Sequence, residues 1–153
     1  MKSWILKSEP DAFSIDMLAE LPDQTTLWDG VRNYMARNHL MAMKVGDRGY
    51  FYHSSCKVPA IVGEVRIVSE AEVDETQFNL ASKYYDAKST HAAPRWFCPR
   101  VKFLKKYEHP LSREVLKEAG LENSQLFTSF RLSVIALTST EAKIIEKLLK
   151  VKS

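Results

Sequence analysis

Residues 27–39 carry an unusual mixture of side chains for so short a stretch. In thirteen positions they include a Trp, a Tyr, two Asn, two Arg and a His, with a single Gly. Few of these side chains can be buried without polar partners, so the segment is poorly suited to a core helix. A pocket that stacks a flat ring, bonds its edge and holds an anion needs this combination of groups. The segment therefore predicts one wall of a binding pocket.

Side chains of the same kinds occur elsewhere and complete the requirements for reading a base. A base turned out of its stack is held by aromatic faces and by donors and acceptors along its polar edge. The candidate aromatic faces are Trp28, Trp96, Tyr34, Tyr84 and Tyr85. The candidates for the polar edge are Ser8, Asp29, Asn33 and Ser54. Trp96, at the start of a predicted strand, is more typical of a core residue, whereas Trp28, before a turn, fits either role equally.

Positive charge is concentrated in the second half of the chain. Residues 1–76 hold 8 Lys/Arg and 12 Asp/Glu, a net charge of −4, whereas residues 77–153 hold 14 and 7, a net charge of +7. Between Lys83 and Lys106, seven cations accompany one anion, Asp86. Such an excess suits phosphate contacts, although a solvated strand edge protected by lysines is the more ordinary interpretation. The candidate phosphate-binding residues are Arg32, Arg37, Lys88, Arg95 and Lys102.

Metal and catalytic motifs are weak in this sequence. His53 and Cys56 have a plausible spacing for two metal ligands, but no second pair follows. The sequence has no G-x-S-x-G elbow, no Walker loop and no G-x-G-x-x-G phosphate loop. A Cys56–His53 nucleophile pair stays open, although no third orienting group is evident. We therefore expect no metal, no cofactor and no catalytic residue, and a protein that is not an enzyme.

Length and composition indicate ordinary globular material. The chain has 153 residues, 45% hydrophobic and 27% charged, which fits one domain over residues 1–153. No run approaches the roughly 18 apolar residues of a membrane span, and the first ten residues lack the apolar stretch of a secretion signal. Cys56 and Cys98 are too few and too far apart to imply a disulfide framework. We expect a cytoplasmic protein without a membrane segment.

The hydrophobic pattern predicts strands in the middle of the chain with short helices between them. The predicted strands are residues 4–7, 48–53, 59–68, 95–107 with a break at Pro99, and 131–137. The predicted helices begin near Ser14, Asn33, Ser112 and Thr138. Ser14 and Ser112 are candidate caps, and the segment from Thr138 to Glu141 has the composition of a helix start. Gly63 inside a strand indicates a bulge or a tight bend. The pattern favours an α+β fold, a strongly bent mixed sheet or incomplete barrel with helices on its outside.

Several motifs, taken in order, resemble the EVE domain family. They are WILKSEP at 4–10, LWDGVRNY at 27–34 with ARN at 36–38, GD at 46–47 with YFYHS at 50–54, GEV at 63–65, YDAKS at 85–89, PRW at 94–96 and RLSV at 131–134. The resemblance covers nearly the whole chain. It departs at residues 61–64, where Ile-Val-Gly-Glu stands in place of the commoner Gly-Ile-Ala-Glu, a packing difference within a strand.

The resemblance implies a fold and a pocket. EVE domains belong to the PUA-like superfamily, which implies a PUA-like bent mixed β-sheet, or pseudo-barrel, with short flanking helices. They are similar to YTH domains, which hold a methylated adenine in an aromatic cage. By that similarity Trp28 and Asp29 correspond to a cage Trp and its polar neighbour. The other residues that the resemblance places at the pocket are Lys7, Ser8, Glu9, Asn33, His53, Ser54 and Trp96.

The function implied by the resemblance is recognition of a modified base. We predict a non-enzymatic module that binds DNA or RNA carrying a methylated or related base, flipped into an aromatic pocket. The alternative is a small-molecule binder, or an enzyme, that takes a free nucleobase or nucleotide in the same pocket. The expected location becomes nuclear if the protein is eukaryotic. Nothing in the sequence predicts an oligomeric state.

Overall fold

The computed structural model describes residues 1–152 of the chain. The strands in this part are β1 Ser3–Ser8, β2 Thr25–Leu27, β3 Arg48–His53, β4 Ala60–Ile67, β5 Glu72–Val73, β6 Phe97–Cys98, β7 Arg100–Ser112 and β8 Val134–Ala136. The α-helices are α1 Ile15–Glu20, α2 Tyr34–Ala42, α3 Arg113–Leu116, α4 Gln125–Thr128 and α5 Ser139–Lys152. Short 3-10 turns lie at Pro22–Gln24 and Glu75–Phe78, and a π-type turn lies at Lys117–Leu121.

Six strands form one mixed sheet in the order β2-β7-β4-β3-β1-β8, and β5 pairs with β6 separately. β1 and β3 run parallel, from Ser3 opposite Arg48 to Ser8 opposite His53, and the other pairs of this sheet are antiparallel. Because the carboxyl ends of β1 and β3 lie side by side, the segments that follow Ser8 and His53 leave the sheet at the same place. The Ser54 backbone N–H donates to the Ser8 carbonyl there, at 3.0 Å.

The sheet bends along β4. This strand is buried over almost its whole length, and its register shifts against both β3 and β7. A Cβ built on Gly63 would lie 2.5 Å from the carbonyl oxygen of Lys105 on β7, so only glycine permits this approach. The predicted bulge at Gly63 is confirmed. Bulges increase local twist, and the six strands curl into a half-barrel.

Local capping fixes the helices that accompany the sheet. The Ser14 hydroxyl accepts a hydrogen bond from the Met17 N–H at 3.1 Å, and α1 packs against β7 with Ile15 and Leu18 buried. At the start of α5, Thr138 and Glu141 each accept a hydrogen bond from the other's backbone N–H, at 3.1 and 2.9 Å. α2 contacts β6 and β8. The predicted starts of these helices are confirmed.

This architecture confirms the predicted α+β class and the bent mixed sheet. The predicted strand at residues 48–53 coincides with β3, and the predicted strand at 95–107 divides at Pro99 into β6 and β7. The last predicted strand is longer than the observed β8. The sequence pattern did not predict β2, β5 or α4.

Candidate functional site

A cavity of about 710 Å³ opens beside the carboxyl end of β1. Its lining comes from four separate parts of the chain, within residues 7–13, 26–33, 83–84 and 131–133. A volume of this size lies in the roughly 300–1,000 Å³ range of small-molecule and cofactor sites. Six of the nine predicted pocket residues line it: Lys7, Ser8, Glu9, Trp28, Asp29 and Asn33.

Trp28 belongs to the cavity wall and to the hydrophobic core at once. Its ring meets Phe51 edge to face, with centroids 5.4 Å apart, and packs against Phe13 at 6.2 Å. Only 6% of Trp28 is exposed. Little of the Trp28 ring is therefore accessible for stacking on a ligand. Phe13 also lines the cavity, and the two rings together form an apolar wall.

Two polar groups of the lining have partly free hydrogen-bonding capacity. The Ser8 hydroxyl donates to the Phe13 carbonyl at 2.7 Å, which leaves its oxygen able to accept. Asp29 has an exposed side chain within the lining. Partial burial of its carboxyl group, and then the negative charge of Asp74, raise the pKa of Asp29, although Arg32 acts in the opposite direction. Asp29 is therefore placed to accept a hydrogen bond from a ligand.

The loop that carries Asp29 is held by a buried carboxylate. Asp74 accepts hydrogen bonds from the Gly30 N–H at 2.9 Å, the Arg32 guanidinium at 3.0 Å and the Thr76 N–H at 2.9 Å. Burial alone would raise the pKa of Asp74, but the hydrogen bonds from Thr76, Gly30 and Arg32 lower it overall. The ionised carboxylate thus fixes the cavity wall from behind.

Arg32 stabilises the cavity wall through hydrogen bonds within the protein. Besides Asp74, its guanidinium donates to the carbonyls of Tyr84 and Val31, each at 2.9 Å, and to the Thr76 hydroxyl at 2.9 Å. Arg32 lines the cavity, but most of its donors are already used within the protein. Gly30, with φ of 80°, permits the contact that closes this wall, because a Cβ there would lie 2.6 Å from the Tyr84 ring.

Trp96 lies outside the cavity lining, in a stack of aromatic rings and guanidinium groups. Its ring stacks on Tyr34 with centroids 4.9 Å apart and 17° between the planes, and its indole N–H donates to Asp86 at 2.7 Å. The Arg37 guanidinium lies 4.7 Å from the centre of the Tyr34 ring and donates to the Arg95 carbonyl at 3.0 Å. Trp96, Arg37 and Arg95 thus contact other protein groups in this structure and do not line the cavity.

Four other predicted residues also have protein partners or lie apart from the lining. The His53 Nε2 accepts a hydrogen bond from the Ile15 N–H at 3.2 Å, so His53 supports the start of α1. Ser54 bonds through its backbone to Ser8, which it supports from the neighbouring strand end. Lys102 pairs with Asp23 at 3.1 Å, and Lys88 is exposed outside the lining.

The lining includes two cations and a tyrosine that were not among the predicted pocket and phosphate residues. Lys83 and Arg131 are exposed cations at the cavity, and Tyr84 covers Gly30. The sequence held a signal for each: Lys83 begins the basic segment, Tyr84 is a candidate aromatic face, and Arg131 opens a family motif. Beside them is Lys7, half-buried, whose pKa is lowered by burial and then by the positive charge of Arg113.

The described residues offer no metal centre or membrane segment. Within residues 1–152, no group of three or more His, Cys, Asp and Glu side chains is placed to hold a metal ion. Among the same residues, no helix has the length and apolar character needed to cross a membrane. Burial raises the pKa of the Cys98 thiol to about 12, so this cysteine is a core residue and a poor nucleophile.

The curled mixed sheet, its short helices and the cavity at the strand ends define a protein of PUA-like architecture. The chain belongs to the EVE domain family, since the EVE domain matches residues 2–148. Thymocyte nuclear protein 1 from chicken is 42% identical over 156 residues, which cover 90% of this chain and 64% of that protein. The human protein is 43% identical, with 90% and 69% covered. This chain thus spans about two thirds of the length of these relatives.

Two solved structures are similar over nearly the whole chain. The human THYN1 protein in complex with 5-methylcytosine-containing DNA has a TM-score of 0.93 and 40% identity, with 97% of this chain and 98% of that one covered. A hypothetical protein from Leishmania major has a TM-score of 0.93 and 40% identity, with 99% and 96% covered. These similarities agree with the fold class inferred from the sequence.

Proposed function

We propose that this chain is a nucleic-acid-binding module that takes a modified cytosine, turned out of a DNA strand, into the cavity beside β1. The observation that carries the proposal is the pairing of an apolar wall, Trp28 with Phe13, and an exposed carboxylate, Asp29, in one cavity. Support also comes from the human relative that has been crystallised with 5-methylcytosine-containing DNA.

The cavity offers complementary groups for such a base. Cytosine presents an amino group at position 4, for which an Asp carboxylate is the natural acceptor, and Asp29 supplies it. A 5-methyl group gains about 0.8 kcal/mol when it leaves water for an apolar wall, which corresponds to roughly fourfold in affinity. Thymine carries the same methyl group but has an oxygen at position 4, which a carboxylate repels. Asp29 therefore selects against thymine, and the apolar wall selects for the methyl group.

Phosphate contacts are assigned to the cations at the cavity that remain accessible, Lys83 and Arg131. Arg32 is engaged with Asp74 and Thr76 and serves the wall. Arg37, Lys88, Arg95 and Lys102 stay as sequence-based alternatives for the phosphate path. The proposal contains no catalytic step, and none of the described residues that line the cavity is a His or Cys. A nuclear location, in a eukaryotic cell, is part of the proposal because the target is DNA.

Binding of matched oligonucleotides tests the proposal. Fluorescence anisotropy would compare DNA and RNA strands that carry 5-methylcytosine, cytosine or thymine at one position. We expect 5-methylcytosine in DNA to bind about fourfold tighter than cytosine and about tenfold tighter than thymine. Asp29→Ala should abolish the preference over thymine and keep the preference over cytosine. Equal binding of the three bases by the unaltered protein would overturn the proposal.

Two controls sharpen this experiment. Asp23→Ala removes an exposed carboxylate that lies outside the cavity lining, and it should change neither preference. A protonated carboxyl group can donate to the thymine oxygen, and the raised pKa of Asp29 makes this happen at a higher pH than for an ordinary Asp. The preference over thymine should therefore shrink as the pH falls, beginning at a higher pH than protonation of an ordinary Asp would allow. Thermal stabilisation by free 5-methylcytosine nucleotide equal to that by the strand would favour the small-molecule alternative.

A further inference from the structure

Two large apolar side chains project into solvent beside the cavity. Phe130 and Leu80 are each 81% exposed. Among the described residues 2–150, no other large apolar side chain is more than 63% exposed. A single exposed apolar residue is ordinary on a protein surface, but the location of these two is not random.

Both side chains stand on loops that continue into the cavity lining. Phe130 directly precedes Arg131, and Leu80 lies three residues before Lys83. The loop of Phe130 is tied at its base, because the Leu132 N–H donates to the Ser129 carbonyl and the Lys7 N–H donates to the Ser133 carbonyl, each at 2.9 Å. Phe130 is thus adjacent in the chain to Arg131, and Leu80 lies three residues from Lys83, the two cations assigned to phosphate.

A base that leaves a duplex leaves a gap in the stack. Extrusion costs the stacking and pairing of that base. Apolar side chains of DNA-bending proteins insert between base steps, so a duplex stack can accept such a side chain. A planar aromatic ring can stack on the bases above and below the gap, which a branched aliphatic side chain cannot. Phe130 is aromatic and exposed, and it is one residue from the cavity lining.

We propose that Phe130 enters the DNA duplex at the gap left by the flipped base, so that the protein acts on double-stranded DNA. This inference rests on the proposed function. It adds the strand state of the target and a residue outside the cavity that sets it. A single strand has no paired stack to repair, so Phe130 contributes to duplex binding alone.

The test compares a duplex that holds one 5-methylcytosine–guanine pair with the same methylated strand alone. Phe130→Ala should weaken duplex binding by about tenfold and change single-strand binding by less than about twofold. A duplex with the 5-methylcytosine opposite a mismatched adenine should bind both proteins more tightly, because its base costs less to extrude, and Phe130→Ala should still weaken its binding. Val45→Ala is the control, since Val45 is 63% exposed and precedes the opposite end of β3 from the cavity.

The outcomes separate this inference from the proposed function. Equal loss on duplex and single strand, no loss on either, or a duplex-selective loss in Leu80→Ala instead of Phe130→Ala would each overturn the role of Phe130. In all three cases, Asp29-dependent binding of 5-methylcytosine would still stand. Failure of the unaltered protein to distinguish 5-methylcytosine in either strand state would overturn the proposed function, and this inference with it. An unchanged melting temperature shows that Phe130→Ala is folded.

Discussion

His53 illustrates how a polar residue of a pocket motif can serve the backbone. Its Nε2 accepts the hydrogen bond from the first N–H of α1, at Ile15, and only an unprotonated nitrogen can do so. Burial lowers the pKa of His53, with Asp16 raising it and Lys106 lowering it to smaller extents. Protonation of His53 therefore works against the start of α1, which follows the cavity-lining Phe13 by two residues.

The pH dependence of stability should report on His53. A His pKa lowered by folding contributes stability that is present above the unfolded value, about 6.5, and is lost as the pH falls towards the folded value. In His53→Gln, the amide oxygen can still accept from Ile15 but does not titrate. We expect the difference in melting temperature between pH 7.5 and pH 5.5 to be smaller in His53→Gln than in the unaltered protein. His109→Gln, an exposed histidine, is the control, and a pH response identical in all three proteins would contradict this role.

Residue types predicted part of the site and could not predict the rest. Ser8, Trp28 and Asp29 lie in motifs whose composition points to a pocket, and the structure places them in one cavity. Trp96 and Arg37 lie in motifs of similar composition, but the groups that surround them in the fold include residues far away in the sequence. The indole N–H of Trp96 finds Asp86, and Arg37 finds the Arg95 carbonyl. A side chain's partner is a tertiary fact that its type does not determine.

The loop at residues 28–33 depends on the segment that follows β5. Asp74, 44 residues from Gly30, holds this loop through two of its members, and its side chain is 2% exposed. Gln77 extends the same support. Its amide oxygen accepts from the N–H groups of Arg95 and Trp96, and its nitrogen donates to the carbonyls of Asp74 and Trp96. These buried polar groups fix the wall without lining the cavity.

Asp74→Asn tests this support. The amide can still accept from Thr76, but its NH₂ would face the Gly30 N–H and the Arg32 guanidinium, and Arg32 would lose its counter-charge. Breaking a buried pair in this way costs about 3 kcal/mol, which urea denaturation would measure. Asp23→Asn, which breaks an exposed pair with Lys102, should cost about 0.5 kcal/mol or less. Equal losses of unfolding free energy in the two variants would show that Asp74 stabilises the fold no more than an exposed ion pair does.

The sequence predicts strands well where the hydrophobic periodicity is strong. It predicts them less well where a strand's bounds depend on pairing with a distant strand. β7 continues through Pro110, although a proline has no N–H to donate within a sheet. Its pairing with β4 breaks between Lys106 and Leu111, and Pro110 lies in that break, where the missing donor costs nothing. β2 is only three residues long and pairs with β7. Because this strand depends on that pairing, no local sequence pattern predicts it.

Folding partly compensates the uneven charge of the two halves of the chain. Three cations of the basic segment pair with acidic residues of the first half: Arg100 with Glu72, Lys102 with Asp23 and Lys106 with Asp16. The run of positive charge in the sequence is therefore partly neutralised on the folded surface. Lys83 and Arg131, 48 positions apart in the chain, line the same cavity.

Salt dependence should identify the cations that meet phosphate. Lys83→Ala combined with Arg131→Ala should weaken DNA binding regardless of the base in the cavity. It should also reduce the slope of log affinity against log salt by about 2, one for each lost contact. Lys102→Ala should leave the slope unchanged, because Lys102 pairs with Asp23 outside the cavity lining. A flattened slope in Lys102→Ala alone would move the phosphate path to β7, as the sequence pattern suggested.

The cavity draws its walls from stretches as far apart as residues 7 and 133. No fragment that lacks one of these stretches can carry the complete lining, so binding in the cavity is linked to folding. By mass action, a ligand at 100 times its dissociation constant adds about 2.7 kcal/mol to the stability of such a protein. Substitutions in the distant core lower the fraction of folded protein. Where the ligand is abundant, its binding raises that fraction again. Under the proposed function, tolerance to sequence change in this chain would depend on how often its cavity is filled.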